Sequence, residues 1–159
     1  YKADEDAEYE QIFDIDLEAL KNSGVKAMLF DLDSTLMASK SGKYSQEILD
    51  WLEVVRRDFF IAVVSNNKNP NYIKKVEEIS GFPLLFNACK PNTSKVRKFL
   101  DEHGFSEKEC VLVGDRPLTD ILCGKNLGCK TILVDSITAD SEALIVRFVR
   151  ALERLTIRP

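Results

Sequence analysis

The run Met28-Leu29-Phe30-Asp31-Leu32-Asp33-Ser34-Thr35-Leu36 passes abruptly from apolar residues to two carboxylates. A strand buried on both faces of a sheet reads as a continuous apolar run, which predicts a strand over residues 25–30. Asp is a poor strand former, so the chain should leave the sheet at Asp31, at the edge where open α/β sheets build their sites. Two carboxylates separated by one residue repel each other unless a cation or a proton lies between them. The run therefore indicates a metal site, acid–base chemistry, or both.

Further apolar runs along the chain also end on polar clusters. They predict strands over residues 61–64, 84–86, 111–113 and 131–134, with helical patterns between them. This alternation predicts an α/β, Rossmann-like fold of three layers (α/β/α), with a mainly parallel sheet of about five strands joined by right-handed crossovers. The polar clusters should then meet along one edge: Ser65-Asn66-Asn67, Cys89-Lys90-Pro91, Gly114-Asp115 and Asp135-Ser136.

These clusters resemble, in order, the four motifs of the haloacid dehalogenase (HAD) superfamily of phosphohydrolases. Residues 31–35 are similar to its first motif, Asp-x-Asp-x-Thr, and Ser65 is similar to its second. Lys90, in a Lys-Pro pair, is similar to the third motif, and Gly114-Asp115 with Asp120 is similar to the fourth. The resemblance covers roughly residues 25–134 and implies an HAD-like fold.

The details look most like the YqeG-like branch of subfamily IIIA. The Lys-Pro pair and the lead-in at residues 14–20, Asp-Ile-Asp-Leu-Glu-Ala-Leu, carry this likeness. Some members of the branch act on phosphatidylglycerophosphate. Position 34 is Ser, where this branch often has Asn, but that side chain is not required for the chemistry.

The resemblance implies a Mg²⁺-dependent phosphatase that acts through an aspartyl-phosphate. Asp31 would be the nucleophile. Asp33 would protonate the leaving oxygen and then activate water. Lys90 would neutralise charge in the transition state and hold Asp31 ionised.

The same resemblance implies a ligand set for the metal and for the phosphate. Magnesium would be held by Asp31, Asp115 and the backbone carbonyl of Asp33, since Mg²⁺ prefers hard oxygen ligands. Asp120 is also assigned to the metal site, either through a bound water or by orienting its neighbours. The phosphate would be bound by the Ser65 hydroxyl and the backbone amide of Asn66. Thr35 would either donate to the phosphate or tether the loop.

Simpler roles compete with these assignments. Asp33 also suits a turn, and Ser65 also suits a helix cap. Lys95 is a rival to Lys90, and Arg116 is open between contact with an anion and a solvated position. At the level of the whole domain, two alternatives stay open: a phospho-accepting switch similar to a bacterial receiver domain, and a non-catalytic binding scaffold on the same fold.

The length, composition and net charge of the chain bear on its domain count, its partners and its location. The chain has 159 residues, 45% of them hydrophobic, which predicts a single domain over residues 1–159. A net charge of −4 gives no sign of the overall positive charge that favours nucleic-acid binding. We find no apolar run long enough to span a bilayer, and we expect a cytoplasmic protein. Because the chain begins at Tyr1 rather than Met, the sequence leaves open whether a segment precedes it, and it does not predict the oligomeric state.

The two ends of the chain carry opposite charge patterns. Residues 1–10 are acidic and predict an N-terminal arm. Residues 142–155 predict a C-terminal helix with an apolar stripe and several arginines. This helix either packs on the sheet or lies on an anionic membrane, which would place the protein peripherally at the inner face of the membrane.

The spacing between the motifs bears on the substrate. The intervals from Asp33 to Ser65 and from Lys90 to Asp115 are too short for a cap domain. An open site favours a bulky phosphate ester, such as a lipid headgroup, a phosphoprotein or a nucleic-acid end. The polar, cationic loop at residues 39–44 either screens the site and recognises an anionic leaving group or is a plain surface loop.

Overall fold

The computed structural model describes residues 7–137. Its strands are β1 (Ala7–Tyr9), β2 (Ala27–Phe30), β3 (Phe60–Val64), β4 (Leu84–Leu85), β5 (Cys110–Gly114) and β6 (Lys130–Val134). They form one sheet in the order β1-β6-β5-β2-β3-β4, and every pair of neighbours is parallel. The predicted C-terminal helix at residues 142–155 lies outside the described residues.

Five helices connect these strands: α1 (Leu17–Asn22), α2 (Gln46–Arg56), α3 (Pro70–Ile79), α4 (Ser94–His103) and α5 (Leu122–Leu127). Local sequence explains their ends. Ser45 caps α2, since its Oγ accepts from the amide of Ile48 at 3.1 Å. A Pro occupies the first position of α3, where its missing N–H is not needed. Helix α4 ends at Gly104 in the left-handed conformation, with φ 80°.

Side chains of the central strand alternate between two apolar cores. Met28 and Phe30 face one core together with α1, α2 and α3, whereas Leu29 faces the other with α4 and α5. A strand with both faces covered explains the uninterrupted apolar run in the sequence. The predicted three-layer α/β/α fold is confirmed. Within residues 7–137, no helix has the length and apolar character needed to cross a bilayer.

The sheet has six strands rather than about five. The additional strand, β1, lies in the segment predicted as an acidic arm, and it pairs with β6 through Ala7–Ile132 and Tyr9–Val134. A three-residue edge strand is held by backbone pairing and has no apolar run of its own. Hydrophobic pattern therefore could not predict it.

The register of the sheet brings the predicted motifs to one edge. Phe30 is paired with Val63 of β3 and with Val113 of β5. The chain leaves β2, β3 and β5 immediately beyond these positions, so their polar clusters emerge side by side. The interval between β2 and β3 holds only loops and α2, and no cap domain covers this edge within the described residues.

Truncation of the central strand should destabilise the fold strongly. Leu29 is completely buried, so Leu29→Ala should lower the free energy of unfolding by about 2–5 kcal/mol through lost burial and a new cavity. Val54, on the outer face of α2, is 45% exposed, and Val54→Ala should change the free energy of unfolding by less than about 0.5 kcal/mol. Urea denaturation followed by circular dichroism measures both. Similar losses for the two variants would contradict the assignment of the core.

Candidate active site

Lys90 lies at the centre of the polar edge. Its Nζ donates to Asp120 Oδ1 at 2.6 Å, to the carbonyl of Val64 at 2.7 Å and to Asp31 Oδ1 at 2.9 Å. The three protons of the ammonium group thus have three acceptors, from the ends of three different elements. The Lys90 side chain is only 1% exposed, and Asp120 is equally buried. The structure therefore brings together the residues of the predicted first, third and fourth motifs.

Burial and the neighbouring charges shift the pKa values of Asp31 and Lys90. Burial and the carboxylates of Asp120 and Asp115 raise the pKa of Asp31 to about 8, although Lys90 acts in the opposite direction. Burial alone would lower the pKa of Lys90, but Asp120 and Asp31 raise it, so the ammonium group stays charged. Acceptor atoms of Asp31, Asp115 and Asp120 lie within 4.8 Å of one another, close enough to hold a metal ion. The excess of negative charge makes this cluster a candidate site for a divalent cation.

Gly114 has no side chain, which allows the carboxyl group of Asp120 to lie close to its Cα atom. A Cβ atom placed on Gly114 would overlap the carboxyl group of Asp120. The Asp120 carboxylate is engaged at both oxygens, since Oδ1 accepts from Lys90 and Oδ2 accepts from the amide of Arg116 at 3.2 Å. These contacts favour the orienting role for Asp120. In the fourth motif, the spacing between Asp115 and Asp120 is explained by a π-helical turn at Pro117–Ile121, which returns Asp120 to the end of β5.

The segment after β3 fixes the backbone of Lys90. Asn66 Oδ1 accepts from the amide of Lys90 at 2.7 Å, and Asn66 Nδ2 donates to its carbonyl at 2.9 Å. Ser65 is buried, and its Oγ accepts from the amide of Asn67 at 3.1 Å. Its own hydroxyl proton is then directed elsewhere, which suits donation to a ligand. The rival Lys95 lies away from this cluster, with Nζ 2.8 Å from the carbonyl of Asn87.

Thr35 and Asp33 lie on opposite sides of the first motif. Thr35 is buried, does not line the cavity, and donates from Oγ1 to Asp115 Oδ1 at 3.3 Å. This contact favours the tethering role, and binding of phosphate by Thr35 stays a prediction. Asp33 lines the cavity, and its Oδ1 accepts from the amide of Lys40 at 2.8 Å and from the Tyr72 hydroxyl at 2.5 Å. Tyr72 was missed by sequence reasoning because no motif or periodicity connects α3 to the first motif.

An open cavity of about 480 Å³ lies over these side chains. Exposed Arg116 lines it, and so does Ser136, whose buried Oγ has no hydrogen-bond partner among the described residues. A buried hydroxyl without a partner needs an explanation, and a bound ligand supplies one. Residues 39–44 border the cavity at Ser39 and are anchored at Tyr44, which is buried and hydrogen-bonded to Ser80. Recognition of an anionic leaving group by this loop stays a prediction.

Comparisons with known proteins agree with this geometry. The model of the HAD-hydrolase-like family matches residues 87–147. The chain is 32% identical to the "Probable phosphatase YqeG" of Bacillus subtilis (strain 168), over 90% of this chain and 83% of that protein. It is also 32% identical to "Phosphatidylglycerophosphate phosphatase 1, chloroplastic/mitochondrial" of Arabidopsis thaliana, over 87% of this chain but only 42% of that protein.

Solved structures share the fold at low identity. An uncharacterised protein from Listeria monocytogenes serotype 4b superposes with a TM-score of 0.57 at 14% identity, over 80% of this chain and 99% of that one. A predicted phosphoglycolate phosphatase from Haemophilus somnus 129pt gives 0.54 at 13% identity, over 78% of this chain and 92% of that one. The 32% identity to the Bacillus subtilis protein, over most of both chains, shows that the chain is an HAD-type phosphatase. The chain belongs to the HAD superfamily, in its YqeG-like branch.

The backbone of the first motif is strained at Ser34, which has φ 68°. Non-glycine residues rarely adopt this left-handed region, but Asn tolerates it. Ser34→Asn should therefore raise the free energy of unfolding by up to about 1 kcal/mol, and Ser34→Val should lower it by about 1–2 kcal/mol because Val is β-branched. Thermal unfolding compares the two. Stabilisation by Val, or a loss with Asn, would contradict strain at this position.

The titration of Asp31 should make the metal-free protein less stable as pH rises. The pKa of an unperturbed Asp side chain is 3.8, and that of Asp31 in the fold is about 8. Between these pH values the folded protein therefore binds more protons than the unfolded chain. The melting temperature in EDTA should fall across this range by a larger amount for the wild type than for Asp31→Asn. Saturating MgCl₂ should reduce the difference, since a bound cation favours the ionised carboxylate. Parallel curves for the two proteins would contradict a raised pKa.

Proposed function

We propose that this chain is a Mg²⁺-dependent phosphomonoester hydrolase that acts through an aspartyl-phosphate. The observation that carries the proposal is the charge balance at the sheet edge. The three clustered carboxylates of Asp31, Asp115 and Asp120 are opposed there by the ammonium group of Lys90. With all three carboxylates ionised, two negative charges remain, which matches one divalent cation.

The donor atoms also suit magnesium. They are carboxylate oxygens, the hard ligands that Mg²⁺ prefers, in a cavity with space for retained waters. Asp31 and Asp115 would hold the ion with the backbone carbonyl of Asp33, while Asp120 orients Lys90. When bound, the ion would neutralise charge on the phosphoryl oxygens.

The protein side chains would carry out two displacements. In the first, a carboxylate oxygen of Asp31 forms a bond to phosphorus as the ester P–O bond breaks, and Asp33 gives its proton to the departing oxygen. In the second, Asp33 takes a proton from water as that water attacks the phosphorus. The bond to Asp31 then breaks, which releases inorganic phosphate and restores both carboxyl groups.

The remaining residues would stabilise the phosphoryl group. The Ser65 hydroxyl and the amide of Asn66 can donate to its oxygens, and Lys90 supplies a fixed positive charge beside the nucleophile. Lys90 also holds Asp31 in place, since their atoms are 2.9 Å apart. Positioning of this kind is the main contribution a protein makes to phosphoryl transfer.

The open site supports a bulky substrate, and we propose phosphatidylglycerophosphate. The similarity to a protein with that name in Arabidopsis thaliana supports this choice. So does the lack of a cap over the described sheet edge, since a lipid headgroup must reach the site from a membrane surface. Peripheral contact through the basic helix at residues 142–155 stays a prediction. Kinship with phosphatases favours turnover over the receiver-like and non-catalytic alternatives.

Removal of the nucleophile should abolish metal-dependent turnover. Asp31→Asn should lower kcat/KM for p-nitrophenyl phosphate by at least about a thousandfold, because no aspartyl-phosphate can form. Asp101→Asn, on the exposed face of α4, is the matched control and should keep wild-type activity. Phosphate release, measured with MgCl₂ and again with EDTA, tests whether activity depends on the metal and on Asp31.

The lipid substrate is tested in the same assay. Phosphatidylglycerophosphate in mixed micelles should give a higher kcat/KM than p-nitrophenyl phosphate. Activity of Asp31→Asn near that of the wild type would refute the mechanism. Turnover of the aryl ester without turnover of the lipid would refute only the substrate.

A further inference from the structure

Tyr72 joins α3 to the first motif. Its hydroxyl donates to Asp33 Oδ1 at 2.5 Å, and the amide of Lys40 donates to the same oxygen at 2.8 Å. The phenol oxygen also lies 3.4 Å from Met37 Sδ, so it is enclosed by the loop that follows Asp33. Neither Tyr72 nor Lys40 belongs to the four motifs.

The two donors make the oxygens of Asp33 unequal. A proton on Oδ1 would have to displace one of the two hydrogen bonds, whereas a proton on Oδ2 leaves both in place. Oδ2 is therefore the oxygen that can carry a transferable proton. The same two bonds also restrict rotation of the carboxyl group, which fixes the direction of that proton.

Tyr72 is well suited to remain a donor. Burial and then the hydrogen bond to Asp33 raise the pKa of its phenol above the usual value, so it keeps its proton at neutral pH. Its position is set by the start of α3, where its amide donates to Asn69 Oδ1 at 3.1 Å.

A series of hydrogen bonds connects this helix start to Ser65. The amide of Asn69 donates to Asn67 Oδ1 at 2.9 Å, and the amide of Asn67 donates to Ser65 Oγ at 3.1 Å. The proposed phosphate ligand and the proposed acid are thus held by one continuous segment, residues 65–72. Their separation is set by that segment rather than by the sheet alone.

We propose that Tyr72 is a positioning residue for proton transfer, which holds Asp33 with Oδ2 directed at the departing ester oxygen. This inference rests on the proposed function, in which Asp33 is the general acid. Tyr72 acts through Asp33 and makes no contact with the phosphoryl group. Its importance depends on how much the leaving group needs a proton.

That dependence gives a test with two esters of similar shape. p-Nitrophenolate departs without being protonated, whereas the more basic phenolate of phenyl phosphate needs a proton. Tyr72→Phe removes only the hydroxyl and should lower kcat/KM about tenfold or more for phenyl phosphate but less than about threefold for p-nitrophenyl phosphate. Asp33→Asn should show the same selectivity with a larger loss.

Tyr9→Phe is the matched control. The hydroxyl of Tyr9, in edge strand β1, accepts from the amide of Asp16 at 3.4 Å, outside the Asp33 contacts. Tyr9→Phe should affect the two esters equally. Equal losses for both esters in Tyr72→Phe, or no loss for either, would overturn the role of Tyr72 while leaving the proposed function intact. No turnover of either ester by the wild type would overturn the proposed function, and this inference with it.

Discussion

The buried ammonium group of Lys90 fixes the arrangement of the side chains around it. A charge taken out of water is costly unless it is paired and all its donors are satisfied, and Lys90 meets this condition through Val64, Asp31 and Asp120. These acceptors follow or end β3, β2 and β5. The three strands must therefore end in register, or a buried charge is left without a partner. The parallel sheet supplies that register at the edge where the cavity opens.

Several local features are explained by this central group. Asn66 holds the backbone of Lys90 at both its amide and its carbonyl, which sets where the side chain starts. The missing side chain at Gly114 lets Asp120 reach the ammonium group. In the neighbouring first motif, the positive φ of Ser34 turns the chain sharply after Asp33. This φ departs from what stability alone would favour, as is common where a backbone is shaped for a site.

The site divides into a charged part and a hydrogen-bonded part. The charged part contains the carboxylates around Lys90, whose excess of negative charge suits a divalent cation. The hydrogen-bonded part is the segment at residues 65–72, which connects Ser65 to Asp33 through asparagine side chains and Tyr72. The first part suits the binding and attack of a phosphate ester, and the second suits control of its leaving group. The two parts meet at the first motif, because Asp31 belongs to one and Asp33 to the other.

Apolar runs that end on polar clusters are local signals, so the fold class and five of the six described strands could be predicted from the sequence. The spacing of four motifs singled out Lys90 and the carboxylates as candidates in the same way. What these residues contact follows from the three-dimensional fold. Edge strand β1 is held by backbone pairing with β6, Thr35 donates to Asp115, and Tyr72 reaches Asp33 from another helix. Such contacts join residues far apart in the chain, and their partners are set by packing and register, which no local pattern encodes.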